Sequence, residues 1–384
     1  MIIETKMKWK LYALNFFVFF AISMVNTQMI PYLSKLGYDV LERGWILAGN
    51  AIISIIGQFL FGWLCDRYQS IRRFFLLAYV LLTISSFAMF LLQERIFFYH
   101  LFTVSIMGGM VKVLMGLDET WMLELDERQY GKLRAWGALG LTAGSPIAGY
   151  LVSRFSYGSL LISFSVVSIL LCYLIVSSRD MQKKGKGIHA KDMIGFVKNK
   201  RYVLLVLIYL LVYMIGTADQ YVVIDKLLDI HASTTQVGIK WALQSFMEVP
   251  LFLFSAKILK KFSPYTLLWF GTIMYGVKFF CYGFFQNPWG IILTAALQLV
   301  TLPIIMLTSK LLIKEVSDER VARSAQMFAM AIFIGFSGLI TPLITSFLSK
   351  HIGYDHTLYA VALFALVPLA LIFWYRHLDA TMKK

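Results

Sequence analysis

Long apolar segments separated by short links dominate this sequence. A helix needs about 20 mainly apolar residues to cross the hydrocarbon core of a bilayer. The crossing segment is helical because lipid offers no partner to the backbone polar groups. Twelve segments have this length. They are predicted at 11–34, 42–64, 74–92, 97–123, 132–154, 158–177, 202–225, 236–258, 265–285, 289–313, 323–348 and 356–375. Only 15% of the residues are charged, against about 25% in soluble domains. The sequence therefore predicts an all-α polytopic membrane protein.

The longest link, 178–201, divides the predicted spans into two sets of six. We predict an N-terminal six-helix bundle at 1–177, a cytoplasmic linker at 178–201 and a C-terminal six-helix bundle at 202–384. Most of the 36 Lys and Arg residues fall in links on the side of the N-terminus. Such a bias marks the cytoplasmic side, so both termini are predicted to be cytoplasmic. The net charge of +15 then reflects topology, and nucleic acid is not an expected partner.

Several alternative protein classes have little support in the sequence. The first apolar segment is too long for the core of a signal peptide and lacks a small-residue cleavage site, so we interpret it as the first span. Three isolated cysteines, Cys65, Cys172 and Cys281, fit neither a disulfide framework nor a zinc site. No GK[ST] phosphate loop or catalytic triad is present. We therefore expect no cofactor, no metal and no enzymatic activity.

Nine Asp, Glu, Lys and Arg residues lie two or more positions inside the ends of the predicted spans. They are Lys112, Asp118, Glu119, Arg134, Asp219, Lys240, Glu248, Lys278 and Lys310. A charge at the bilayer centre costs about 2.5–3.5 kcal/mol on insertion scales, so such residues face partners or water. Lys112 and Glu119 share a helical face and are expected to pair, and Lys240, Gln244 and Glu248 form a polar stripe at i, i+4, i+8.

Two interpretations of these buried charges stay open. The charges either lock helices together or line a water-filled path for a polar solute. Polar residues on successive spans, such as Asn26 and Gln298, favour a hydrophilic central cavity. The aromatic residues Trp121, Trp136, Tyr221 and Trp241 lie near the polar positions. They either stack on a substrate or serve as ordinary core and interface aromatics.

The link after the second span reads GWLCDRYQSIRR, residues 62–73. Asp66 is expected to cap a helix or to pair with Arg67, Arg72 or Arg73, which would latch adjacent helices; the alternative is an ordinary basic loop. The string resembles the signature of the major facilitator superfamily, matched by Gly62, Leu64, Asp66, Arg67, Tyr68, Arg72 and Arg73. The usual glycine before the basic pair is missing, and the spacing is about one residue longer. The resemblance implies twelve helices in two pseudo-symmetric six-helix bundles, and a gating role for these residues.

A second string, YGKLRAWGALG at 130–140, resembles the branch that holds lactose permease, nucleoside–proton symporters and phenylpropionate-type permeases. The resemblance implies that Arg134 binds substrate and that Asp118 or Glu119 is the acid of the fourth span. Glu248 or Gln244 would match the acid of the eighth span, and Lys278 the base of the ninth. The branch's His and Glu on the tenth span are replaced by Gln298 and Thr301, so the coupling of lactose permease does not carry over directly.

Together these observations predict a proton-coupled symporter that imports a small polar or aromatic metabolite, such as a sugar, a nucleoside or an aryl acid. The expected substrate site comprises Arg134, Glu248, Gln244, Lys278, Asp219, Gln298, Asn26 and Trp136. The proton is expected on Asp118 or Glu119, with Asp118 favoured. The alternative function is a proton-driven drug or metabolite exporter. We expect a monomer in a bacterial plasma membrane, with substrate, protons and lipid as its partners.

Overall fold

The computed structural model describes residues 2–126, 130–180, 199–317 and 322–382, and these residues form helices and no strand. The helices are α1 (Ile2–Asn26), α2 (Met29–Lys35), α3 (Val40–Tyr68), α4 (Ile71–Leu91), α5 (Phe97–Asp126), α6 (Tyr130–Arg154), α7 (Tyr157–Val176), α8 (Lys200–Asp229), α9 (Thr234–Lys261), α10 (Pro264–Phe284), α11 (Pro288–Thr294), α12 (Leu302–Glu315), α13 (Ala322–Phe364) and α14 (Leu366–Met382). A 3₁₀ helix, Ala295–Val300, joins α11 to α12.

These helices make twelve crossings, as the sequence predicted. Nine helical regions of the described chain are long and apolar enough to span a membrane. The last of them, Phe328–His377, contains two crossings, because Gly353 breaks the helix with φ 79° and ψ 167°. Glycine adopts this left-handed region without steric cost. The 25-residue α6 and the 28-residue α9 add two crossings that are less apolar than the others.

Polar capping residues fix where several crossings begin. Asp39 accepts from the backbone N–H of Glu42 at 2.8 Å, and the Glu42 carboxylate accepts from the backbone N–H of Asp39 at 2.9 Å. This capping box satisfies two donors that the first turn of α3 leaves without a helical partner. Ser233 and Gln236 form the same motif at the start of α9. Residues at the edges of the apolar segments therefore determine where these helices begin.

The tenth crossing is irregular, although the sequence predicted one continuous span at 289–313. It runs from α11 through the 3₁₀ helix into α12, with a break at Thr301, where φ is −114° and ψ is −99°. Pro303 follows in the first turn of α12 and cannot donate a backbone hydrogen bond. A 3₁₀ stretch inside a helix often marks strain or a hinge. The break lies beside Gln298, one of the predicted site residues.

The six crossings before residue 178 form a first bundle and those after residue 199 form a second. We call the side of the membrane that holds the N-terminus, the end of α7 and the start of α8 the linker side, and the opposite side the far side. On the linker side, Nζ of Lys10 donates to the backbone oxygen of Ser177. Residues 181–198 of the predicted linker lie outside the described residues, so the boundaries 1–177, 178–201 and 202–384 remain predictions. Between the bundles, α6 packs on α9 and α3 packs on α13.

Candidate transport site

Asp219 on α8 is the centre of a buried ionic cluster in the second bundle. Nζ of Lys240 lies 2.8 Å from its Oδ1, and Nζ of Lys278 lies 2.5 Å from its Oδ2. Nε2 of Gln244 donates to the same Oδ2 at 3.1 Å. The three charged side chains are at most 1% exposed. Burial of charges at membrane depth is costly, and this close pairing compensates much of that cost.

The cluster continues to Glu248 through the amide of Gln298. Nζ of Lys278 donates to Oε1 of Gln298 at 2.7 Å, and Nε2 of Gln298 donates to Oε1 of Glu248 at 3.0 Å. Four chain segments therefore contribute to one network, which we call the Asp219 network: α8, α9, α10 and the 3₁₀ helix. Its two acids and two lysines balance in charge. The Lys240, Gln244 and Glu248 stripe lies on one face of α9, as its spacing predicted.

Asp118 on α5 occupies a different buried position, in the first bundle. Its side chain is 3% exposed. The Asn15 amide, in the orientation that satisfies both of its polar atoms, donates to Oδ2 of Asp118 at 3.3 Å and to the backbone oxygen of Leu133 at 3.3 Å. Oδ1 of Asp118 has no hydrogen-bond donor among the described residues. No described Lys or Arg forms an ion pair with Asp118, in contrast to Asp219.

Arg134 on α6 interacts electrostatically with a buried acid of each bundle. It lies within electrostatic reach of both Asp118 and Glu248, and its guanidinium group stacks over the ring of Phe19 at 4.8 Å. Arg134 and Glu248 come from different bundles. The structure thus brings these two predicted site residues within electrostatic reach of each other across the bundles.

The expected pairing of Glu119 with Lys112 is wrong. Oε1 of Glu119 instead accepts from Nζ of Lys310 on α12, at 2.6 Å, and this ion pair joins the two bundles near the linker side. The backbone oxygen of Lys310 accepts from Gln326 at 2.8 Å. Helical spacing identified the face that Glu119 shares with Lys112, but a partner on another helix competes for the carboxylate.

The remaining predicted residues lie in three places: the cavity, the core and an aromatic cluster on α1 and α6. Asn26 lines a cavity of ≈ 50 Å³ between the bundles. Trp136 does not lie with the Asp219 network: its ring stacks on Tyr12 at 5.9 Å and contacts Trp9 edge-on at 6.2 Å. Trp121 is fully buried, and its Nε1 donates to the backbone oxygen of Arg179 at 3.0 Å. Tyr221 and Trp241 both line the cavity.

Asp180 is the acid that binds the link at 62–73, which carries the superfamily signature. The expected ion pair of Asp66 with Arg67, Arg72 or Arg73 is wrong among the described residues. Oδ1 of Asp180 accepts from the backbone N–H groups of Ile71 and Arg72, both at 3.0 Å, and Oδ2 accepts from Ser70 at 2.5 Å. A carboxylate is favourable at a helix N-terminus such as that of α4. Asp66 itself is exposed, and its backbone oxygen accepts from Gln69 at 2.5 Å.

The other signature residues lie at the same linker-side loop. Gly62 is in open space, because a Cβ there would meet no atom within 4 Å. Arg67 stacks over the ring of Trp63 at 5.0 Å. Arg72 donates to the backbone oxygens of residues 176 and 178, both at 3.1 Å. Arg73 is exposed.

A buried ion pair between the bundles on the far side was missed by sequence reasoning. Oδ1 of Asp225 on α8 accepts from Nη2 and Nε of Arg43 on α3, at 2.8 and 3.0 Å, and both side chains are less than a tenth exposed. The neighbouring Lys226 is 1% exposed and pairs with Asp355 at 2.7 Å. Arg43 and Lys226 lie at the ends of predicted spans and were not among the predicted site residues. The signal that was available is the acid–base pair 225–226 at the end of a span.

Close backbone contact also joins the bundles on the far side. The hydroxyl of Thr234 on α9 donates to the backbone oxygen of Gly149 on α6 at 2.9 Å. A Cβ at Gly238 would lie 2.9 Å from Cα of Pro146. Glycines here let α6 and α9 approach more closely than larger residues allow. With the Arg43–Asp225 pair, these contacts close the far side of the molecule.

These features define a class of membrane protein. Two helical bundles enclose a small cavity and a charge-balanced polar centre, and among the described residues no group of three or more His, Cys, Asp or Glu is placed to hold a metal ion. A family model described as the MFS_1 like family matches residues 8–360. The chain therefore belongs to this family of major facilitator superfamily transporters.

Curated relatives and solved structures agree with this assignment. The chain is 20% identical over 379 residues to a maltose permease of Geobacillus stearothermophilus, with 96% of this chain and 95% of the relative covered. It is 25% identical over 271 residues to a probable 3-phenylpropionic acid transporter of Escherichia coli, with 68% and 69% covered. The fold matches a crystal structure of the nucleoside transporter NupG with a TM-score of 0.83 at 13% identity, covering 96% of this chain and 99% of the other.

A further relative is much longer than this chain. The chain is 24% identical over 215 residues to the major facilitator superfamily domain-containing protein 6-like protein B of Xenopus laevis. The matched segment covers 52% of this chain but only 34% of that relative. Substrate and direction of transport are therefore argued from the residues of this chain.

Proposed function

We propose that this chain is a proton-coupled secondary transporter that imports a small polar or aromatic metabolite by alternating access. The observation that supports it best is the arrangement of its buried acids. Asp219 and Asp225 are held in buried ion pairs, and Glu119 in a partly exposed one. Glu248 accepts from Gln298 within the charge-balanced Asp219 network. Asp118 is buried with no ion pair among the described residues. The names of its relatives point to a sugar, a nucleoside or an aryl acid as the substrate class.

Asp118 is the proposed proton carrier because protonation there breaks no salt bridge. Proton uptake by Asp219 would forfeit contacts with two lysines at 2.8 and 2.5 Å. Proton uptake by Glu119 would forfeit its pair with Lys310. A buried charge gains most from neutralisation when it has no ionic partner. Arg134 lies near Asp118 and Glu248, so a substrate that engages Arg134 would change the electrostatic environment of Asp118.

The contacts between the bundles support a rocking cycle around the central site. The structure has its far side closed by the Arg43–Asp225 pair and by the packing of α6 on α9. For transport these contacts must break while the bundles stay joined on the linker side, where Glu119 pairs with Lys310. We assign the linker side to the cytoplasm from its excess of Lys and Arg, and we propose a monomer in a bacterial plasma membrane.

Transport by purified protein in vesicles tests this function. Protein reconstituted into liposomes with an acidic exterior should accumulate a radiolabelled substrate from a panel of maltose, uridine and 3-phenylpropionate, and a protonophore should abolish accumulation. Protein-free vesicles measure passive entry of the weak acid. Accumulation that ignores the proton gradient would contradict symport, and substrate expulsion driven by an inward proton gradient would favour the exporter.

A further inference from the structure

The cavity between the bundles carries one charged residue, Lys112 on α5. The cavity wall combines residues of α3 and α5 with residues of α8, α9 and α13. Its lining comprises Asn26, Thr27, Met29, Ile30, Asn50, Ala51, Ser54, Gly108, Lys112, Gln220, Tyr221, Ile224, Trp241, Ile334, Gly335 and Gly338. Every other residue of this lining is uncharged. The cavity therefore presents a single cation to a ligand at the bundle interface.

Lys112 differs from the other lysines inside the bundles in having no carboxylate partner among the described residues. Lys240 and Lys278 contact Asp219. Lys226 contacts Asp355 at 2.7 Å, and Lys310 contacts Glu119 at 2.6 Å. Lys112 is half-buried and forms no such pair. An unpaired cation at membrane depth is costly and usually marks a path for substrate or ions. An anion that enters the cavity would compensate this charge.

The remaining cavity wall suits the body of an organic anion. Trp241 offers the face of a large ring, and its Nε1 has no hydrogen-bond acceptor among the described residues. The ammonium group of Lys240 lies 4.1 Å from the centroid of the same ring, so the ring connects the cavity to the Asp219 network. Asn50 and Gln220 add amides that can donate to or accept from hydroxyl groups.

We propose that Lys112 binds the carboxylate of the transported substrate, which is an organic monoanion with a flat or hydroxylated body. This inference rests on the proposed transport function and narrows its substrate class. A neutral sugar or nucleoside would leave Lys112 uncompensated, whereas a carboxylate pairs with it. Co-transport with one proton on Asp118 would then move no net charge. The present volume of ≈ 50 Å³ holds a few water molecules, so the bundles must separate locally to admit the substrate.

Binding to the purified full-length protein tests the inference without a need for transport. The probes are 3-phenylpropionate, its neutral amide 3-phenylpropanamide, maltose and uridine, with thermal stabilisation and calorimetry as readouts. We expect 3-phenylpropionate to bind and the amide to bind at least about 30-fold more weakly, because a buried charge loses its partner. Lys112→Met should lose the preference for the anion and Lys112→Arg should keep it. Lys257→Met removes an exposed lysine and is the matched control.

The outcomes separate this inference from the transport function. Equal binding of 3-phenylpropionate and its amide, or unchanged binding in Lys112→Met, would overturn the role of Lys112. Binding of maltose or uridine but not of the carboxylate would overturn the anionic class and leave a transporter of neutral solutes. Carboxylate binding that depends on Lys112 would support this inference. If substrate accumulation did not depend on the proton gradient in the same protein, the symport proposal alone would be refuted.

Discussion

The far-side ion pair gives a quantitative prediction about the conformational equilibrium. Arg43 and Asp225 belong to different bundles and meet at 2.8 Å with both side chains buried. Removal of one partner of such a pair costs about 3–5 kcal/mol, because the other charge stays buried. The pair exists only while the far side is closed, so Asp225→Asn should destabilise the closed state selectively. A loss of about 3 kcal/mol corresponds to a shift of roughly 150-fold toward the open state.

Cysteine accessibility measures this shift. Ser346 is 6% exposed and lies against Gly44 at the bundle interface on the far side. After replacement of the three native cysteines, Ser346→Cys should react slowly with a membrane-impermeant maleimide added to the far side. Asp225→Asn should raise this rate by one to two orders of magnitude, until the open state predominates. The charge-swapped double variant, with Arg43→Asp and Asp225→Arg, should restore slow labelling.

A matched control removes a pair that does not join the bundles. Arg95 and Glu42 form an exposed pair within the first bundle, also on the far side, at 2.5 Å. Exposed pairs contribute about 0–1 kcal/mol, so Arg95→Gln should change the labelling rate by less than about fivefold. Unchanged labelling in Asp225→Asn, or an equal rise in Arg95→Gln, would refute the assignment of a far-side gate.

Three further predictions concern other contacts. Asp180→Asn should lower the melting temperature by a few degrees, since two backbone N–H groups at the start of α4 lose a carboxylate. Asp66→Asn, at an exposed site, should change the melting temperature little. Equal shifts of the two variants in a thermal melt would contradict this difference. Gly238→Leu should stop the far side from closing, because even a Cβ there lies 2.9 Å from the backbone of α6; normal uptake rates would disprove the close approach. Glu119→Gln should raise the rate of maleimide labelling from the linker side only severalfold, because its pair with Lys310 is partly exposed. A hundredfold rise would show that this pair is the main contact that closes the linker side.

The fold was predictable from the sequence because membrane spans are encoded locally. Apolar length and the excess of basic residues fixed the twelve crossings, and capping residues such as Asp39 and Ser233 mark helix starts within the sequence itself. The break at Thr301 escaped prediction because the tenth segment has the apolar length of a single span, and composition does not distinguish an α-helix from a short 3₁₀ stretch; Pro303 was the available signal.

The site was predictable as a set of residues but not as a set of pairs. Asp219, Lys278 and Gln298 were identified as buried polar residues on three spans, and the structure joins them in one network. The predicted partner of Glu119 was wrong because helical spacing reports neighbours on the same helix only. The predicted pairing of Asp66 was wrong because Asp180, from beyond the link, holds the start of α4. Arg43 and Asp225 were missed for a related reason: a charge near the end of a span resembles a surface residue until the opposite bundle covers it.

The central claim, coupling through Asp118, is tested most directly by separating exchange from accumulation in the Asp118→Asn variant. Liposomes that contain wild-type or variant protein are loaded with unlabelled substrate to measure exchange, or are given an inward proton gradient to measure accumulation. The account predicts that Asp118→Asn exchanges labelled for unlabelled substrate at a rate near that of the wild type but no longer concentrates it. Proton-driven accumulation by Asp118→Asn to the wild-type level would contradict the account and move the proton to another group.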